Sequence, residues 1–350
     1  LLLPAGFVGG AAACMLGRGY LAVDLFFILS GFVMALNYGA LFRHRIRLHV
    51  FGQFILRRAA RLYPVYAAIL VFRFCYTLLR YGSYALPRPW IAAPMAHPVV
   101  DIPANLLLVQ AWGICAGSIG PAWSISTEWG AYFAFPALAS LGLWRGRRHI
   151  VLIATAIVAL LFATSWLDTS TPYHVGALDA WDGTTAGPMM RCLGGFALGV
   201  LTWRAACNPG VARLAGSGTA CAGSLAWILA GIAAGVPDAV IYPAFPPLVL
   251  CLACGRNIVS SLFAAGAVVW LGEISYSLYL LHIFLLHPLD VTRAEARLAL
   301  PPETADALTC IAMFALLLAA SALAYRLIER PGRTVLLRGA HALGRFRRPA

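Results

Sequence analysis

Residues 20–38 read YLAVDLFFILSGFVMALNY, a run of aromatic and aliphatic side chains interrupted by one charge, Asp24. A helix needs about 20 mainly apolar residues to cross the hydrocarbon core of a bilayer. This stretch meets that length, and it sets the class of the whole chain. Reading outward from it, the same criterion predicts further spans at 61–80, 124–143, 149–166, 184–203, 217–235, 241–257, 265–287 and 304–325. The apolar piece at 102–115 is too interrupted to span and reads as re-entrant or interfacial. The expectation is an all-α, polytopic transmembrane helical bundle with about nine spans.

Composition points the same way. Of 350 residues, 61% are hydrophobic and 11% charged, against about 25% charged in an ordinary soluble domain. So few charges cannot cover a globule of this size, which excludes a soluble enzyme.

All 26 basic residues are Arg, and the net charge is +13. Twelve of those charges come from two stretches, 43–61 with six Arg and no acid, and 326–350 with seven Arg and one Glu. Both flank apolar runs, the arrangement of cytoplasmic membrane loops that attract anionic lipid headgroups, not of a nucleic-acid surface. With 43–61 inside, 145–149, 204–213 and the tail are inside too. The Arg-poor stretches 81–123, 167–183, 236–240 and 288–303 are then outside. Residue 1 falls outside as well, which predicts one further span upstream and ten in the complete protein. The chain divides into an external lead-in (1–19), a transmembrane domain (20–325) and an Arg-rich cytoplasmic tail (326–350).

The nine Cys sit mostly in apolar runs, where a thiol packs as a small hydrophobe. Cys251 and Cys254 have metal-like spacing without a second pair nearby, so no metal and no disulfide framework is expected.

Ions inside a span are costly and are internal, paired or functional. Asp24 is either favoured by its helix start or an anchor in a polar cavity, and Gly31, seven residues on, puts a close-packing position on its face. Arg58 and Arg61 point to one side of a helix entering at the cytoplasmic edge. They suit a phosphate-bearing ligand or serve as plain topological anchors. Pro64 reads as lying just inside that helix start. In 120–133, GPAWSISTEWGAYF, a hydroxyl is expected to cap the helix, while Glu128 enters the apolar run as a candidate acid–base group. Arg191 beside Gly194 and Gly195 suggests tight packing around a paired ion. Glu273, Tyr276 and Ser277 read as a polar stripe facing the bundle interior, with Tyr279 and His282 on the other side of the same helix. These features alone leave a membrane enzyme and a transporter open.

The stretches GRGYLAVDLFFILSGFVM (17–34), FILRRAARLYPVY (54–66), PAWSISTEWGAYFAFP (121–136), WLGEISYSLYLLHIFLLH (270–287) and YRLIERP (325–331) together resemble the acyltransferase-3 family of polytopic membrane acyltransferases. The resemblance implies a ten-helix bundle in the bacterial inner membrane. It implies transfer of an acyl group, commonly acetyl, from a coenzyme A thioester on the cytoplasmic side to a hydroxyl of a carbohydrate or other acceptor. By position, Arg58 and Arg61 match the Arg-x-x-Arg motif thought to contact the acyl donor. Asp24 and Glu128 match the acidic residues assigned here as catalytic, and Ser30 and Gly31 match the Ser-Gly-Phe. Trp129 and Gly130 stand where many members carry a second Glu and a Gln. The family's first-helix Arg and catalytic His have no counterpart in the readable chain, so a truncated or inactive form is a further expectation. A lipid-linked sugar or small-molecule transporter, or an inactive scaffold, is the alternative.

Overall fold

The computed structural model describes residues 17–43, 45–81, 98–115, 117–144, 176–255, 258–284 and 300–342, with a few isolated positions between 146 and 161. Among these residues the regular structure is entirely helical. The principal helices are α1 (Leu21–Tyr38), α2 (Leu48–Tyr81), α3 (Pro98–Leu106), α4 (Ala122–Trp144), α5 (Gly187–Ala206), α6 (Pro209–Ala215), α7 (Gly218–Ala233), α8 (Phe245–Cys254), α9 (Gly266–Leu281), α10 (Pro302–Ala324) and α11 (Arg330–Ala342).

Seven expected spans coincide with α1, α4, α5, α7, α8, α9 and α10, and the expected span 149–166 lies almost wholly outside the described residues. Among the described residues, two helices are long and apolar enough to cross a membrane, Leu21–Phe42 and Pro302–Ala340. The pair α6 and α7, bent by 67°, makes a third if it is one broken span. The described residues are thus all-helical, and they do not confirm a count of nine crossings.

Two expected boundaries are corrected. Helix α2 starts at Leu48, not 61, and runs for 34 residues, about 51 Å. Most of the expected basic loop is thus helical. The reason is tertiary: Phe54 is buried against Phe42 and Phe135 at ring separations of 5.8 and 5.3 Å, so one face of this segment has core to pack on. Pro64 consequently sits mid-helix and not in the first turn. The last span likewise does not end at 325. A π-helical turn, Tyr325–Glu329, carries it into α11, which packs back on α2. A Cβ added to Gly332 would stand 2.7 Å from the Cβ of Pro64, so the absent side chain is what lets the two backbones meet. The first half of the expected tail is therefore a packed helix.

At the centre, α1 and α5 approach to backbone contact. A Cβ on Gly31 would collide with the carbonyl of Phe196, and one on Gly199 with that of Ile28. Gly195, one turn before Gly199, faces the Cβ of Phe27. This is the small-residue crossing by which membrane helices gain packing energy where apolar burial offers little. Helix α4 lies on the other flank of α5 through Phe135 and Phe196, their rings 6.0 Å apart. On the opposite side, Ile28 and Phe32 of α1 join Cys221 of α7 and Phe245, Val249 and Cys251 of α8 in a second apolar cluster.

The interrupted stretch, over 98–115 and 117–120, folds as α3 and a series of turns tucked over the start of α4. Its buried backbone needs partners, and side chains of the bundle supply them. Tyr66 Oη donates to the carbonyl of Asn105 at 2.7 Å and Arg73 Nε to that of Ser118 at 3.0 Å. Ser126 Oγ donates to the carbonyl of Leu108 at 2.9 Å and accepts the amide of Ala111 at 3.1 Å.

Candidate active site

Ser124, Glu128 and Tyr132 recur every four residues along α4 and share one face of it. All three are buried, and each engages a different helix. Ser124 Oγ lies 2.9 Å from Tyr279 Oη of α9. Glu128 Oε1 accepts hydrogen bonds from Ser30 Oγ of α1 at 2.5 Å and from Tyr132 Oη at 2.6 Å. The ring of Tyr132 faces the guanidinium of Arg58 on α2 at 5.9 Å. The stripe thus leads from α9 to the arginines, and Arg58 and Arg61 supply the positive charge acting on Glu128.

The hydroxyls here do not cap α4 as expected. Ser124 and Thr127 donate to the carbonyls of Pro121 and Ser124, and Ser126 pins the preceding turns. The covering segment claims Ser126 instead, whose hydroxyl satisfies the buried amide of Ala111 and carbonyl of Leu108.

Arg58 and Arg61 have different surroundings. Arg58 Nη2 donates to Tyr38 Oη at 2.8 Å, and its guanidinium lies over the Tyr38 ring at 4.9 Å. Its buried Nε has no hydrogen-bond acceptor. Arg61 Nη1 donates to Glu329 Oε1 at 2.6 Å. The other oxygen of Glu329 accepts Ser277 Oγ at 2.8 Å, which fixes the carboxylate from two sides.

Asp24 is not in this group. Arg191 donates to it through Nε–Oδ1 at 2.8 Å and Nη2–Oδ2 at 2.6 Å, and neither side chain is exposed. Two further guanidinium protons go to the carbonyls of Ala180 and Tyr20, and Trp123 lies under the cation at 5.3 Å. This is the paired ion expected around Arg191. Asp24 is six residues from Ser30, about 9 Å along α1, so the structure joins Glu128 to the arginines of α2 and leaves Asp24 with α5.

Glu273 departs from expectation. It is exposed, because among the described residues no helix covers the first turns of α9, and inward contact begins at Ile274. Ser277 and Tyr276 do face inward, Tyr276 Oη donating to the carbonyl of Leu62 at 2.6 Å. His282 bonds locally, its Nδ1 2.6 Å from the carbonyl of Tyr279. Among the described residues, no group of three or more His, Cys, Asp or Glu is arranged to hold a metal.

Sequence reasoning gave no role to Tyr38, Tyr132 and Glu329. Two signals were present: Tyr132 lies four residues after Glu128, and Glu329 is the one acid in the Arg-rich stretch from 326 to 350.

The profile of a family described as an acyltransferase domain, acyltransferase-3, matches residues 4–326. The chain is similar to Acyltransferase MdmB of Streptomyces mycarofaciens, 28% identical over 93% of this chain and 83% of the relative. It is also similar to Protein 2 in picA locus of Rhizobium radiobacter, 30% identical over 42% of this chain and 78% of the relative. No solved structure gives a significant match. A match that runs from ahead of α1 into the π-helical turn takes in the α1–α5 crossing, the Glu128 stripe and the arginine end together, and on that extent the chain belongs to the acyltransferase-3 family.

Proposed function

We propose that this membrane acyltransferase takes its acyl group, most simply acetyl, from a coenzyme A thioester at the Arg58–Arg61 end of the bundle. The group passes to a hydroxyl of a carbohydrate or other acceptor. The observation that carries this reading is the hydrogen-bonded Glu128, linked by Tyr132 to a guanidinium with a spare donor. Guanidinium forks suit the phosphates and pyrophosphate of such a donor. Glu128, held rigidly by Ser30 and Tyr132, orients the acceptor hydroxyl. That oxygen attacks the thioester carbonyl, the new C–O bond forms and the C–S bond breaks. The hydroxyl proton passes to a base, an imidazole in the resemblance drawn above, and from that base to the departing sulfur, so that coenzyme A leaves as the thiol. Asp24 serves the reaction by holding α1 to α5 through Arg191, which keeps Ser30 in place against Glu128.

The setting follows from the charge pattern. On that pattern the arginine end faces the cytoplasm and α11 lies on that side, and the family resemblance makes the membrane a bacterial inner one. Acceptor-dependent release of coenzyme A thiol from acetyl-coenzyme A, measured in membranes containing the protein, tests the reading. Glu128→Gln lowers this turnover about 100-fold. Ion-coupled solute flux without thiol release would overturn it in favour of a transporter.

A further inference from the structure

We propose that the two arginines do different work: Arg58 takes the anionic group of the donor, and Arg61 is a positioning residue whose partner is Glu329. This rests on the donor-end reading above and divides it between two side chains that the sequence treats as equivalent.

Three observations separate them. Arg58 has no carboxylate within salt-bridge distance among the described residues, and its charge sits between the rings of Tyr38 and Tyr132. Its buried Nε lacks an acceptor. A buried donor without a partner is destabilising, and an anionic oxygen arriving at this guanidinium satisfies it. Arg61 is already neutralised, by a carboxylate that is itself 1% exposed and anchored through Ser277. A donor phosphate competing for Arg61 would leave the Glu329 charge buried and unpaired, which is strongly unfavourable.

The placement of Glu329 gives the ion pair a structural task. It lies at the end of the π-helical turn Tyr325–Glu329, and three residues later Gly332 meets Pro64 of α2. Glu329 and Gly332 clasp α2 from the C-terminal helix on both sides of residue 62, whose carbonyl accepts Tyr276 of α9. Single π-turns inside α-helices often mark functional positions. Here the widened turn aims a carboxylate sideways into the bundle. Arg61, Glu329 and Ser277 thereby join α2, the C-terminal helix and α9, and set the register in which Arg58 is presented.

Two measurements on the purified full chain in detergent test this: equilibrium binding of coenzyme A, and thermal unfolding. Arg58→Ala should weaken coenzyme A binding about tenfold or more and leave the unfolding temperature nearly unchanged. Arg61→Ala should lower the unfolding temperature by about 5 °C or more. Adding Glu329→Gln to Arg61→Ala removes the stranded charge and should recover most of that stability and near-wild-type coenzyme A affinity. If Arg61→Ala with Glu329→Gln is stable but binds as weakly as Arg58→Ala, both arginines contact the donor and the division is wrong. If coenzyme A binds all variants and the wild type alike, the donor-end reading itself falls, and the division with it.

Discussion

Asp24 and Arg191 meet through two parallel hydrogen bonds of 2.8 and 2.6 Å with both side chains fully buried, joining α1 to α5 where glycines have already brought the backbones together. Removing one partner strands the other charge inside the bundle. Asp24→Ala is expected to cost about 3–5 kcal/mol, read as a large fall in unfolding temperature. Asp24→Asn combined with Arg191→Gln should recover part of that loss, because no isolated ion remains.

The crossing that carries this pair depends on missing side chains. Gly31→Ala and Gly199→Ala each drive a methyl into a backbone carbonyl of the facing helix, and backbone cannot move aside as a flexible side chain can. Both should abolish the monodisperse peak in size-exclusion chromatography. Gly52→Ala and Gly272→Ala have open space around the new Cβ and should elute as wild type.

Tyr132 should matter to catalysis only through Glu128. Tyr132→Phe keeps the ring and deletes the 2.6 Å bond to the carboxylate. Turnover should fall about tenfold, and the same change in a Glu128→Gln background should have no further effect. Additive losses in this double-mutant cycle would separate the two residues.

Ser126 holds the turns that cover α4. Ser126→Ala leaves the amide of Ala111 and the carbonyl of Leu108 without their buried partner, at about 1–3 kcal/mol. Hydrogen exchange at Ala111 should accelerate in step.

Much of the bundle was legible in the sequence, because apolar runs of spanning length stand out against a chain with few charges. Helices α1, α4, α5 and α10 begin within three residues of the expected spans. Partner identity was less legible. The pairing of Arg191 was anticipated from its neighbouring glycines, but Asp24 is 167 residues away, and no local pattern names it. The failure at α2 has the same origin. Its first turns look like a basic loop, and only the burial of Phe54 against Phe42 and Phe135 makes them helix. Likewise Arg58 and Arg61 form a symmetric pair in sequence, and Glu329, 268 positions from Arg61, breaks the symmetry.

The account stands or falls on which side of the membrane the arginine end faces, since coenzyme A meets a membrane protein from the cytoplasm. Gly52 lies in the early turns of α2, exposed and with open space about it, so Gly52→Cys in a background free of the nine native cysteines places a thiol beside that end. A membrane-impermeant maleimide should label it in inverted vesicles and not in right-side-out ones. Labelling from the external face alone would contradict the assignment of Arg58 to a coenzyme A thioester.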